Sequence, residues 1–245
     1  MNENELTKAK LSELSLRAYE RGYTVYSDFL NMNEISLLKA LKTASPYTLY
    51  GGYEAAERCV AAFGEADGLS AFPIVCLQIE PLQQKFADKM SHRDVLGALM
   101  NLGINRSTLG DIYLHNNTAF LFCLSTIAPY IEQNLTRIRH TTVSCQTAEA
   151  VPAVLSQLPP LTEVITASVR ADAVIGAVYR LSRAMASRLF TSEKVFINGV
   201  ITAKEGQQLK ENDIVSVRGY GRFIFEGTVR NTKKNRCIVS VRIYR

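Results

Sequence analysis

The chain has 245 residues, 47% of them apolar and 21% charged, which is the composition of folded domains and excludes wholesale disorder. No run approaches the about 18 apolar residues of a membrane span, and the opening MNENELTKAKLSEL lacks the apolar core of a signal peptide. The formal net charge of +5 is unevenly spread: residues 1–169 carry 13 Lys+Arg against 17 Asp+Glu, and residues 170–245 carry 15 against 6.

In chain order, residues 6–21 read as a helix with Leu11, Leu14 and Ala18 on one face. Asp28 is placed to N-cap the next segment, and 36–42 continue helically. In SPYTLYGGYEAAERCVAAFG an extended stretch ends at Gly51 and Gly52, and a helix resumes over 53–63. Residues 1–72 are therefore expected to form a mainly helical N-terminal domain, its tyrosines and phenylalanines serving as a small core ahead of an interaction surface.

Residues 73–147 have a legible order. IVCLQIEP is a strand, and Ser91 with Asp94 caps a helix that ends at Gly103. DIYLH and TAFLFCL are strands joined by a turn at His115, Asn116 and Asn117. STIAPYIEQNLTRI is a helix capped by Ser125 or Thr126, and HTTVSCQ is a final strand. The order β-α-β-β-α-β is that of a ferredoxin-like, RNA-recognition-like domain. Phe120 and Phe122 fall on one strand face, as core or as an exposed stacking platform, with core favoured. Residues 148–167, with Pro152, Pro159 and Pro160, read as a linker.

Residues 168–245 carry the net +9, which points to a polyanionic partner, nucleic acid first. Val174, Ile175, Val178 and Leu181 make one helical face, and Ser182 caps a second helix whose Ala186, Leu189 and Phe190 point inward. Asn198-Gly199 is a strong hairpin signal between short strands. DIVSVRG is a further strand, and a last hairpin turns around 231–235, with Cys237, Val239, Val241 and Ile243 on one face of its final strand. Arg180 and Arg183, spaced i, i+3, are expected to share a helical face, where their guanidiniums would match RNA phosphates bidentately. The overall class is α+β.

The string formed by Arg170 and Asp172, by Ser182, Arg183, Ala186 and Leu189, by Lys194 to Gly199 and by Asp213 to Val217 resembles the S-four RNA-binding domain, named after small-subunit ribosomal protein four. The chain departs from that pattern at Ala171, a position where leucine is commoner, and at Glu193 and Asn212, where glycine usually stands. With SVRGYGRF, FPIVCLQIEP and SHRDVLGALMNLGI added, the chain from about Pro73 onward resembles the YlmH-type ribosome-associated proteins of Gram-positive bacteria. The resemblance implies a non-enzymatic RNA binder that docks on the large ribosomal subunit, with its rRNA and tRNA or peptidyl-tRNA as partners. It implies a role in ribosome-associated quality control of stalled translation and a connection to cell division. A ribosomal protein or a quality-control factor would be a further partner, and no membrane is implied. RNA contact is assigned to Arg170, Arg180, Ser182, Arg183, Arg188, Lys194, Asn198, Lys204, Arg218 and Arg222.

Rival readings are an RNA-modifying enzyme of the pseudouridine-synthase kind and a protein-interaction adaptor. Lys89-Met90-Ser91 has no nucleotide-binding partner motif, and no Walker loop, GxGxxG or GxSxG occurs. His92 and Asp94 read more simply as a helix start than as an acid–base pair. Five cysteines, odd in number and without a CxxC pair, and three scattered histidines suggest neither disulfides nor a metal site. No enzyme activity, cofactor or metal is expected, and the cytoplasm is the expected compartment.

Overall fold

Capping chemistry starts the first helix. The Asn2 side chain accepts from the Glu5 amide at 2.9 Å, and the Glu5 carboxylate accepts from the Asn2 amide in return. The computed structural model describes residues 2–156, 158–232 and 236–244, and the chain divides into two compact units, Met1–Ser156 and Gln157–Arg245.

The first unit begins with α1 (Glu3–Arg21), β1 (Val25–Leu30), α2 (Met32–Ala40), β2 (Tyr47–Tyr50) and β3 (Cys59–Phe63). The strands form an antiparallel sheet in the order β1-β3-β2. The expectation of a mainly helical domain is thereby corrected in two places. Residues 59–63 are a strand because CVAAF is buried on both faces, and that burial overrides the helix propensity of its alanines. Asp28 lies inside β1, and the helix after it is capped by Asn31, which accepts from the amides of Asn33 and Glu34.

There follow β4 (Ile74–Pro81), α3 (His92–Asn101), β5 (Leu109–His115), β6 (Thr118–Leu124), α4 (Ala128–Asn134), β7 (Arg137–Ile138), β8 (Thr141–Thr147) and α5 (Ala153–Ser156). The strand order β5-β6-β4-β8-β7 is antiparallel throughout, so that β6 is inserted between the two strands joined through α3. Ser91 and Asp94 form the expected capping box of α3. Asn116 and Asn117 turn with φ of 48° and 62°, as a two-residue hairpin requires. Ser125 and Thr126 do not cap α4, and the helix expected over 125–138 is corrected at both ends: it stops at Asn134, and Arg137–Ile138 form a strand that pairs with β8. The N-cap of α4 is Ile127, without a side-chain bond, and Pro129 presets the first turn.

Side-chain alternation along the strands makes this unit four layers deep. Leu121 and Cys123 of β6, with Leu77 and Ile79 of β4, pack under α3 and α4. Phe122 of β6 and Cys76 of β4 face the other way, onto Phe29, Val60 and Ala62 of the first sheet. Ala61 and Phe63 point to the far side of that sheet, against Leu11, Ala18, Ile35 and Leu38 of α1 and α2. Residues 1–72 and 73–147 thus share one apolar layer rather than forming separate bodies. Arg58 and Arg106 tie the two sheets at one edge: Arg58 Nε donates to the Leu109 carbonyl at 2.8 Å and its Nη2 to that of Phe29 at 3.1 Å, while Arg106 Nη1 donates to Leu109 at 2.7 Å. Burial, then the neighbouring charge of Arg58, pushes Arg106 down to about 10.

The second unit holds β9 (Leu161–Thr166), α6 (Ala171–Tyr179), α7 (Arg183–Thr191), β10 (Val195–Ile197), β11 (Val200–Ile201), β12 (Asp213–Val217), β13 (Gly221–Asn231) and β14 (Cys237–Tyr244). Its antiparallel sheet runs β11-β10-β12-β13-β14-β9. Val174, Ile175, Leu189 and Phe190 of the helices pack on Val215, Phe223, Val239 and Val241 of the sheet. The linker expectation for 148–167 is corrected over its second half, where β9 pairs with β14 from Cys237↔Thr166 to Arg242↔Leu161. An edge strand covered on one face only carries a weak hydrophobic pattern, and the adjacent prolines outweighed it. Of the hairpin turn expected around 231–235, residues 233–235 lie outside the described residues.

Candidate nucleic-acid interface

The basic residues of the second unit are set by how its two helices start and stop. The Ser182 hydroxyl accepts from the Met185 amide at 3.3 Å and so caps α7. Helix α6 ends at Arg180, whose φ is 55°, and the Leu181 amide reaches back to the Gly176 carbonyl at 2.9 Å. Helix α7 ends the same way: Glu193 has φ 53°, its amide donates to Phe190 at 3.1 Å, and the Lys194 amide donates to Leu189 at 2.9 Å. Both ends place a left-handed residue after the helix, a position glycine fills at least cost. Asn212, with φ 67°, is also left-handed, in the turn that precedes β12. Two of the departures from the S-four pattern therefore fall where the backbone demands a positive φ.

Arg180 and Arg183 do not share a helical face, contrary to expectation. Arg180 closes α6 and Arg183 opens α7, so the two flank the turn at Leu181 and Ser182. Both are exposed, as are Arg188, Lys194, Lys204 and Arg218. The Arg218 amide donates to the Lys194 carbonyl at 2.9 Å, which puts these two cations side by side, and the Arg218 guanidinium lies 5.6 Å from the centre of the Phe196 ring. Among the described residues none of these six side chains is in an ion pair. Five of the unit's carboxylates are engaged away from these cations: Glu163 with Arg230 at 3.6 Å, Asp172 with Arg170, Asp213 with Asn198, Glu226 with Arg242, and Glu205 with the Ser187 hydroxyl. Glu193, by contrast, is exposed next to Lys194.

The other candidates have structural duties. Arg170 is held bidentately by the buried Asp172, at 3.0 and 2.9 Å; that hydrogen bonding, followed by the carboxylate charge, raises its pKa. The Asn198 amide donates to Asp213 at 2.8 Å and accepts from the Ile214 amide at 2.9 Å, which consumes it in pinning the β10–β11 turn to β12. Arg222 is corrected outright as a surface contact. It is 8% exposed, with its guanidinium 4.6 Å from the centre of the Tyr244 ring. Sequence reasoning passed over Tyr220, which sits exposed between Gly219 and Gly221 with its ring 5.6 Å from that of Tyr179. The signal was present in Arg-Gly-Tyr-Gly-Arg, where flanking glycines project an aromatic ring among cations.

In the first unit Phe122 is 1% exposed, so the core reading of that face holds. An RNA-recognition sheet stacks bases on such aromatics, whereas here they lie beneath a second sheet. His92 and Asp94 are a helix start, as expected: Ser91 donates to Asp94 at 2.6 Å and caps the Asp94 amide in return.

A set of exposed cations free of ion pairs on a small α+β unit is the footprint of a nucleic-acid-binding protein. Residues 69–151 match the family model described as "Putative RNA-binding domain in YlmH". The chain is similar to "Ribosome-associated protein quality control protein P2" of Bacillus subtilis (strain 168), at 27% identity over 226 residues, 86% of this chain and 83% of that protein. Its fold is similar to that of "Cell division protein ylmH from Streptococcus pneumoniae", with a TM-score of 0.51 and 21% identity over 60% of this chain and 92% of that one. The resemblance to YlmH-type proteins read from FPIVCLQIEP and SHRDVLGALMNLGI stands on these matches.

Proposed function

We propose that this chain is a non-enzymatic, cytoplasmic RNA-binding protein that docks on the large ribosomal subunit, touching rRNA and peptidyl-tRNA, and that it acts in quality control of stalled translation. The observation that carries the reading is the set of exposed cations Arg180, Arg183, Arg188, Lys194, Lys204 and Arg218, none of them in an ion pair among the described residues. Residues 168–245 are read as an S-four-like domain, with β9 as an added edge strand. Arginine forks at a helix–helix turn suit the phosphates of a folded RNA, recognised by shape rather than by sequence.

The test is gradient fractionation of a cell lysate at low and at high salt. The chain should sediment with large subunits at low salt and be released as salt rises, because each neutralised phosphate frees counterions. A protein found only at the top of the low-salt gradient overturns the reading, and so does RNA modification by the purified chain.

A further inference from the structure

We propose that the first unit carries a second RNA-backbone contact on its helical side, in the groove between α3 and the β7–β8 hairpin. The proposal rests on the reading of the chain as an RNA binder. The sheet face that RNA-recognition folds offer to bases is closed here, since Phe122 and Cys76 lie against Phe29, Val60 and Ala62. RNA that meets residues 69–151 must therefore meet another surface, and three of the six cations of this region line one groove. Arg93, Arg137 and Arg139 line a groove of about 540 Å³ together with Gly97, Asn101 and Asn134. All three arginines are exposed. Arg93 and Arg137 have no ion pair among the described residues, and Arg139 stands at 3.8 Å from Asp94, the one acid lining the groove.

Two residues of this groove disfavour local stability. Gly97 interrupts α3 on its exposed side, where an added Cβ would meet nothing within 4 Å, so no steric need explains it. The missing side chain leaves the floor open to a close backbone approach. Arg139 takes φ 55° in the tight turn between β7 and β8, where asparagine or glycine is at ease and arginine is strained. Strain held at an exposed cation, beside a glycine without a packing duty, is a pattern of ligand sites. The ligand chemistry is a run of phosphates, bound by three guanidinium forks and by the Asn101 amide.

The test uses the full chain and fluorescein-labelled bacterial tRNA as the probe. It compares the wild type with Arg93→Gln/Arg137→Gln/Arg139→Asn, in which asparagine keeps the left-handed turn relaxed. Affinity should fall by about ten-fold or more at low salt, and the slope of log affinity against log salt should flatten by about 2. Photocrosslinking of tRNA to the wild type should label peptides spanning 92–101 and 134–140, a readout that stands even if the variant folds poorly. Unchanged affinity and slope in a folded variant, or crosslinks confined to the second unit, overturn the proposal and leave the proposed function intact. A wild type that binds no RNA overturns both.

Discussion

The ring of Tyr53 lies 5.0 Å from that of Phe122 with the planes tilted by 31°, and this contact closes the open face of the central sheet. The backbones on either side come as near as the rings allow. A Cβ at Gly52 would sit 2.3 Å from Phe122, and one at Gly110 would sit 2.6 Å from Phe29. Tyr53 is further fixed by its hydroxyl, which donates to Asp111 at 2.9 Å.

Phe122→Ala should therefore act as a deep core truncation, lowering the stability of the first unit by about 3–5 kcal/mol in urea unfolding. Gly52→Ala should also destabilise, since its φ of 99° and the clash with Phe122 both oppose a side chain. A loss below about 1 kcal/mol for Phe122→Ala would show that the two sheets do not depend on this layer.

Arg180 and Glu193 occupy equivalent left-handed positions after α6 and α7, and they separate stability from binding. Replacement of either by glycine relieves the backbone, and thermal unfolding should show a gain of about 0.5–1 kcal/mol. Arg180→Gly should at the same time weaken tRNA binding in fluorescence titration by about 1–3 kcal/mol, as the loss of a phosphate contact does. Glu193→Gly removes a negative charge beside Lys194 and should leave binding unchanged or slightly tighter. Equal losses of affinity in both variants would assign the effect to turn geometry instead of the guanidinium.

The second unit should fold from a fragment that begins at residue 157 and fail to do so cleanly from one that begins at residue 168. The shorter fragment lacks β9 and leaves β14 as a bare edge, with Ile238, Val239 and Val241 in its ladder. Light scattering and amide exchange of the two fragments check this; identical monodispersity and protection would show that β9 is dispensable.

Burial pushes the Cys76 thiol up to about 12, and burial followed by the charge of Glu132 does the same to Cys145. Cys123 is raised as well, by burial first and then by its neighbours Cys145 and Cys76. These thiols stay protonated in the folded chain at a pH where the unfolded chain, with thiols near 9.0, already ionises. Their contribution to stability is complete below about pH 9 and is lost as pH rises from there toward 12. The urea midpoint should fall between pH 8 and pH 10.5, and less steeply in Cys76→Ala/Cys145→Ala. A thiol reagent at pH 8 should leave Cys76 and Cys123 unmodified until denaturant is added.

Features decided within a few residues could be read from the sequence. The Ser91–Asp94 capping box, the Ser182 cap and the Asn116-Asn117 and Asn198-Gly199 turns all depend on local donors, acceptors and tolerance of positive φ. The elements over 73–147 were legible in order except β7, whose two residues exist as a strand only because β8 pairs with them. The cationic block was equally plain, because charge is counted without a fold. Tertiary structure decided everything that depends on what lies opposite. Cys59–Phe63 became a strand because both of its faces found apolar partners, and Leu161–Thr166 became one because β14 presented an unpaired edge. Arg222 went under Tyr244 and lost access to solvent, while Arg170 was engaged by Asp172 and Asn198 by β12, so residues of the same type as the exposed cations and amides took structural duties. Periodicity tells which residues share a face, but only the packing of one sheet on another tells whether that face meets water. For the aromatic face of the central sheet it does not, and the surface left for RNA follows from that burial.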